Sequence, residues 1–155
     1  MKRARINWEI SIHYNDNFHA MTNDELKKFF GSPVCRWGVY DEKQHAVVSV
    51  TWTKPGFLNL LTDAKSVVGG AEMRMKHNLQ NYRREASVST EIAGITAKGI
   101  RYSYTVNGAD TVQKGEMLGF RMKNKFYVIQ YLSCSEDNAE NHKQYESMLQ
   151  SVAVL

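Results

Sequence analysis

Two cysteines, two prolines and ten glycines in 155 residues leave little room for several classes of protein. Cys35 and Cys134 lie far apart and form no C-x-x-C pair, so neither a zinc ribbon nor a disulfide framework is supported. So little proline and glycine leaves no flexible linker. There is no internal repeat or low-complexity tract either, and residues 1–155 read as one folded unit. Nothing approaches the roughly eighteen successive apolar residues of a membrane helix. Lys2, Arg3 and Arg5 supply the charge that opens a signal peptide, but Asn7, Glu9, Ser11 and His13 interrupt the apolar stretch that must follow. The expected location is the cytoplasm, provided that no leader has been removed from the chain. Charge of one sign is also scarce: the net value is +4, and the basic clusters "MKRAR", "NYRRE" and "MKNKF" are short. A nucleic-acid arm would need a longer block of like charges.

Catalytic and cofactor motifs are missing too. No G-x-S-x-G, H-E-x-x-H or P-loop pattern occurs, and His13, His19, His45, His77 and His142 share no convergent spacing. A non-catalytic protein without cofactor or metal is the expectation. What is present is regular patterning. "INWEISI" (6–12) alternates Ile6, Trp8, Ile10 and Ile12 with polar residues, as a half-buried strand does. "MTNDELKKFFGSP" (21–33) predicts a short helix: Thr22 and Glu25 have capping-box spacing, Met21 and Leu26 occupy the staple positions, and Gly31 and Pro33 end it. "RWGVY" (36–40) and "AVVSVTWT" (46–53) read as a hairpin joined by "DEKQH", with "KPG" (54–56) breaking the second strand. A helix is expected over 62–82. Strands follow at 85–92, 97–106, 111–122 and 126–134, with Asn107-Gly108 and "KNK" (123–125) as turns. A final helix carries the stripe Ala139, His142, Tyr145, Met148, Leu149 and Val152.

Short hairpins require antiparallel neighbours. The strand "FYVIQYLSC" is apolar on both faces apart from Gln130 and therefore needs cover on both. The fold class that follows is α+β: an antiparallel sheet of six or seven strands flanked by helices on both faces.

The stretches "EIAGITAKGIRYSYTV" (91–106), "GEMLGFRMKNKFYVIQYLS" (115–133) and "YESMLQSVAV" (145–154), in this order, resemble the PsbP-like (Mog-type) α/β/α family. The N-terminal "FHAMTNDELKKFFG" and "WGVYD" are similar to uncharacterised bacterial members. That family includes a photosystem extrinsic subunit, a Ran-binding nucleotide-release protein, DcrB-type proteins and EagR-type secretion chaperones. The resemblance implies the sandwich fold and, by analogy with the chaperones and the Ran-binding relative, a protein partner. No stretch matches a Ran-binding surface or a photosystem metal site.

"GGAEMRMKHNLQNY" (69–82) admits three readings: a phosphate cradle, a soft-metal site, or one side of an amphipathic helix. At helical spacing Ala64, Val68, Ala71, Met75, Leu79 and Tyr82 form one stripe. Met73 then lies roughly 200° from Met75, and His77 also points away, so one metal is not readily held by them. Gly69 and Gly70 fall inside the helix, where either a kink or a close neighbour would account for them. Sheet aromatics are expected mainly in the core. Any sheet face that the helices leave open would become an aromatic groove for a peptide or helix. Met73, His77, Trp37, Trp52, Tyr127 and Tyr131 are therefore the candidate partner-binding residues. An exposed edge at 36–40 or 6–12 would also permit a homodimer. A non-catalytic protein-interaction or chaperone module is the leading expectation, with a small-molecule or lipid carrier as the alternative.

Overall fold

A computed structural model describes residues 1–53, 63–106, 111–134 and 138–155. The expected break at "KPG" and the Asn107-Gly108 turn lie outside the described residues. The strands are β1 (Lys2–Ile6), β2 (Ile10–Tyr14), β3 (His19–Ala20), β4 (Arg36–Asp41), β5 (Ala46–Trp52), β6 (Gln80–Ile92), β7 (Ile95–Thr105), β8 (Val112–Met122), β9 (Lys125–Cys134) and β10 (Ala153–Val154). The helices are α1 (Asn23–Phe30), α2 (Ala64–Asn78) and α3 (Asn138–Ser151). Seven strands form one antiparallel sheet in the order β3-β4-β5-β9-β8-β7-β6, and a second sheet has the order β1-β2-β10.

The expected strand at 6–12 is a correction. Ile6 and Ile10 pair across a tight turn, with Glu9 N donating to Ile6 O at 3.1 Å. Asn7 and Trp8 at its centre have φ of 52° and 59°. Alternation counted four apolar residues as one strand, yet Ile6, Ile10 and Ile12 are buried while Trp8 is 81% exposed. A left-handed turn suits Asn or Gly. A bulky L-residue held there costs about 1–2 kcal/mol.

The capping signals of α1 are realised. Thr22 Oγ1 accepts from Glu25 N, the Glu25 carboxylate accepts from Thr22 N, and Gly31 takes φ 86° as it ends the helix. Leu26 is buried against Gly38, where an added Cβ would stand 3.4 Å from its methyl. The helix expected over 62–82 instead ends at Asn78. Leu79 N still donates to Met75 O at 2.8 Å, but Leu79 itself is extended. From Gln80 the chain pairs with β7, and that pairing overrides the helical stripe. Tyr82 nevertheless stacks 5.9 Å from Tyr102, beside the residues α2 covers.

Alternate residues of β9 enter separate clusters. Tyr127, Ile129 and Tyr131 pack with Tyr145 and Met148 of α3 and with Ile6, Ile10 and Ile12 of the small sheet. Val128 and Leu132 join Val68, Ala71 and Met75 of α2, with Ile100, Tyr102 and Met117 of the sheet. Of the stripe expected for the final helix, Tyr145 and Met148 in α3 and Val152 just beyond it are buried, whereas Ala139 is exposed. Asn141, not part of that stripe, is buried, and its amide donates to Gln44 O at 2.9 Å and Ser133 Oγ at 2.7 Å. Among the described residues no helix is long and apolar enough to cross a membrane.

Candidate interaction site at the sheet edge

The edge strands of the large sheet are β3 and β6. The edge expected at 36–40 is therefore a second correction, because β4 lies between β3 and β5. Of the residues at 6–12, those in β2 are central to the small sheet, and only Ile6 belongs to its edge strand β1. Sequence alone could not rank the edges, since strand order depends on long-range pairing.

β6 spans thirteen residues and pairs along its inner side with β7. Along its outer side it meets no strand among the described residues. Its first half is irregular, with register shifts between Gln80 and Arg83 and between Arg84 and Ala86. Arg83, Arg84 and Glu85 cluster there. Charges and bulges are the ordinary guards of an exposed edge. The regular stretch from Ala86 to Thr90, "ASVST", has neither guard.

Beside this stretch a cleft of about 410 Å³ opens between the sheet and α2. Val68 and Ile100 give it an apolar floor, Ser87 and Ser89 line it from β6, and Lys65, Lys98 and Arg84 supply positive charge. Alternation explains the grouping: Ser87 pairs with Ile100 and Ser89 with Lys98, on the side that α2 covers. Asp63 caps α2 by accepting from Ser66 N at 2.8 Å. Those Ser66 bonds, aided by Lys65 and Lys98, hold its carboxyl below the usual range. Glu72 is buried, bonded to Tyr82 Oη at 2.7 Å and to Arg84 Nε at 3.0 Å. Burial, then the Glu72 bond, pushes the Tyr82 hydroxyl far up. Arg84 is thereby committed to the protein, whereas Lys65 and Lys98 form no ion pair among the described residues, although both act on the Asp63 carboxylate.

Gly69 lines the same cleft, and a Cβ added there meets no described atom within 4 Å. At Gly70 the nearest described atom would be Arg74 Nη1 at 3.8 Å. Among the described residues, then, no close neighbour requires either glycine.

A second polar cluster lies under α3. Glu116 is buried and bonds Arg101 Nε at 2.8 Å, with His142 Nε2 at 3.9 Å. His142 Nδ1 is 3.4 Å from Glu146 on its own helix. Tyr131 stacks on Tyr145 at 4.8 Å, the Tyr145 hydroxyl faces Glu116, and the Tyr131 hydroxyl faces Ser133. Two spaces adjoin this cluster, one of about 70 Å³ beside Tyr131 and His142 and one of about 240 Å³ lined by Arg101, Glu116 and Glu146. Among the described residues no histidine ring shares a hydrogen bond with a serine, threonine or cysteine.

The candidate residues of the sequence do not come together. Met73 and His77 are exposed on the outer side of α2, and Met75 packs inward. Tyr127 and Tyr131 are core residues, 0% and 2% exposed, and offer no surface to a partner. Trp37 and Trp52 are half-buried against that core; Trp37 meets Tyr14 edge-on at 5.9 Å, and Trp52 lies 6.3 Å from Tyr127. Among the described residues, these aromatics pack against residues of α3 and the small sheet. Lys65, Lys98, Ser87 and Ser89, which line the cleft, belong to no motif of the sequence. Ser87 and Ser89 alternate with half-buried Ala86 and Val88, a pattern visible in the sequence, whereas the position of their strand at an edge is not.

This is an α+β protein with an antiparallel seven-stranded sheet, a small companion sheet and three helices among the described residues. No protein-family model matches the sequence, and no curated protein matches it. Solved structures do. Cyanobacterial PsbP from Synechocystis sp. PCC 6803 is similar with a TM-score of 0.67 at 10% identity, over 99% of this chain and 92% of that one. The Ran-binding protein Mog1p of Saccharomyces cerevisiae gives 0.62 at 8% identity, over 99% and 94%. LpqN of Mycobacterium tuberculosis, involved in cell envelope biogenesis, gives 0.61 at 13% identity, over 94% and 82%. The chain has the PsbP/Mog1 fold.

Proposed function

We propose that residues 1–155 act as one non-catalytic binding module for another protein, which adds an extended segment along β6. In this reading the large sheet is a sandwich, with α1 and α2 against one face and α3 with the small sheet against the other. Its faces are occupied, so a partner is left the edges. The observation that carries the reading is the unguarded stretch Ala86–Thr90, whose outer side meets no described strand, with the cationic cleft beside it. Main-chain hydrogen bonds to an edge supply affinity, and pockets for alternate side chains supply selectivity. Lys65 and Lys98 favour an acidic side chain at the position that enters the cleft. That a protein of this fold is described as Ran-binding fits such a role at the level of fold. The carrier alternative calls for an enclosed apolar chamber, whereas the cleft beside β6 is rimmed by charges and hydroxyls.

Capture from the native cell should recover a stoichiometric partner. Its binding should slow amide hydrogen exchange across Ala86–Thr90 and should weaken in Lys65→Glu/Lys98→Glu. A partner that leaves the β6 amides unprotected, or that binds the double variant equally well, would contradict the edge assignment.

A further inference from the structure

We propose that the Ile6–Glu9 turn is a membrane-docking tip, with Trp8 entering the interface of a bilayer that contains anionic phospholipid. The turn is distant in sequence from β6 and stands independently of the partner assigned to that edge. Trp8 is the most exposed large apolar residue among those described, at 81%, and sits at φ 59°, a conformation a bulky residue rarely adopts. It makes no hydrogen bond or ring contact among the described residues. The chain therefore bears a backbone penalty and a hydration penalty at one position with no internal return. Glycine would remove both, so the return for tryptophan lies outside the molecule.

Its surroundings indicate what it meets. Val154 and Leu155 are exposed at 44% and 42%, and both are fixed to the tip: Val154 pairs with Ile10, and Leu155 N donates to Glu9 O at 2.9 Å. Lys123 Nζ reaches Leu155 O at 2.8 Å, and exposed Arg5 lies three residues before Trp8. The nearby acid, Glu9, is already engaged by Tyr127 Oη at 2.5 Å and Lys125 Nζ at 3.0 Å. Asn7 Nδ2 also bonds Tyr127 Oη at 3.3 Å, so the turn is anchored to a buried ring and presents Trp8 on a firm base. An aromatic ring with aliphatic neighbours and adjacent cations matches the water–lipid boundary, where tryptophan is enriched and basic residues are drawn to anionic headgroups. A hairpin tip is convex. A protein surface would need a fitted acidic pocket to receive it, and a bilayer deforms around it.

The test is co-sedimentation of the full chain with phosphatidylserine/phosphatidylcholine vesicles and with phosphatidylcholine alone. Binding should require phosphatidylserine and weaken as salt is raised. Trp8→Gly should lose binding by about tenfold or more while melting at the same temperature or higher, and Arg5→Glu/Lys123→Glu should weaken it comparably. Trp8→Asn, which also suits the turn, guards against an unforeseen folding defect in the glycine variant. Lys65→Glu/Lys98→Glu should bind vesicles normally, which separates this site from the β6 edge. Failure of the wild-type chain to bind either vesicle, unchanged binding by Trp8→Gly and Trp8→Asn, or capture of a protein through Trp8 without vesicle binding would each overturn the proposal.

Discussion

Replacing Gly69 and Gly70 by alanine should stabilise the protein. Both residues lie well inside α2, which runs from Ala64 to Asn78, and neither has a positive φ. Glycine in a helix interior is about 0.8–1 kcal/mol less favourable than alanine, because the unfolded chain loses more freedom on folding. That gain survives only where the new methyl has room. At Gly69 it meets no described atom within 4 Å, and at Gly70 it makes an ordinary contact with the flexible end of Arg74 at 3.8 Å. The two methyls point in different directions around the helix, so the effects should add to about 1.5–2 kcal/mol. For a chain of this size each kcal/mol raises the melting temperature by roughly 2–4 °C, which places the double variant about 3–8 °C above wild type. Thermal melts by circular dichroism and urea titrations with an unchanged m-value would measure it. A loss of stability in either single variant would refute the reasoning, since it would mean an unseen steric constraint. Function should separate the two positions. Gly69 lines the cleft beside β6 and Gly70 does not, so Gly69→Ala should also weaken partner binding while Gly70→Ala leaves it intact.

Gly99 is the opposite case: an added Cβ would stand 1.6 Å from Met117 O of the neighbouring strand, so Gly99→Ala should cost about 3 kcal/mol or more and lower the urea midpoint sharply. A wild-type urea midpoint for that variant would rule out the close strand approach. Tyr82→Phe should cost roughly 1 kcal/mol by removing the hydroxyl bonded to Glu72, and Glu72→Ala should cost more, because Arg84 also loses its partner; equal midpoints would argue against the triad. Burial works to raise the pKa of Glu9, but hydrogen bonds from Tyr127 and Lys125 outweigh it and hold the carboxyl below its ordinary 4.5. Folding thus favours the charged form, and the stability it contributes is complete above pH 4.5 and lost as pH falls through the depressed value. Glu9→Gln should flatten the acid side of a melting-temperature profile, and an unaltered acid side would count against this account.

The sequence disclosed those elements whose signals are local. Capping at Thr22, Glu25 and Gly31 depends on residues a few positions apart, and α1 carries all of it. The β8–β9 turn was legible because Lys123 and Asn124 sit between two apolar alternations, and both adopt positive φ. Competition between periods was less legible. Tyr82 fits the expected helical stripe but lies in β6, where Gln80 and Arg83 on either side of it pair with Thr105 and Ser103 of β7, and that long-range pairing decides the outcome. Trp8 fits an alternation so well that the turn beneath it could not be seen, since Ile6 and Ile10 keep the same parity across a three-residue turn as along a continuous strand.

The candidate sites are illegible for a related reason. Tryptophan and tyrosine drew attention as binding residues because of their size, yet size is also what a core selects. Tyr127 illustrates the conflict: its ring is fully buried, and its hydroxyl reaches the rim of the molecule to hold Asn7 and Glu9. An aromatic read as a contact for a partner thus supports the turn that carries the exposed one. The proposed binding surfaces are drawn from local choices that do nothing for the fold. Two glycines weaken α2 where alanine would fit, an edge strand leaves five uncharged residues unguarded, and a tryptophan occupies a glycine-like turn. Each departure is removable by one or two substitutions that the fold should tolerate, so stability and binding can be measured as separate quantities at each place.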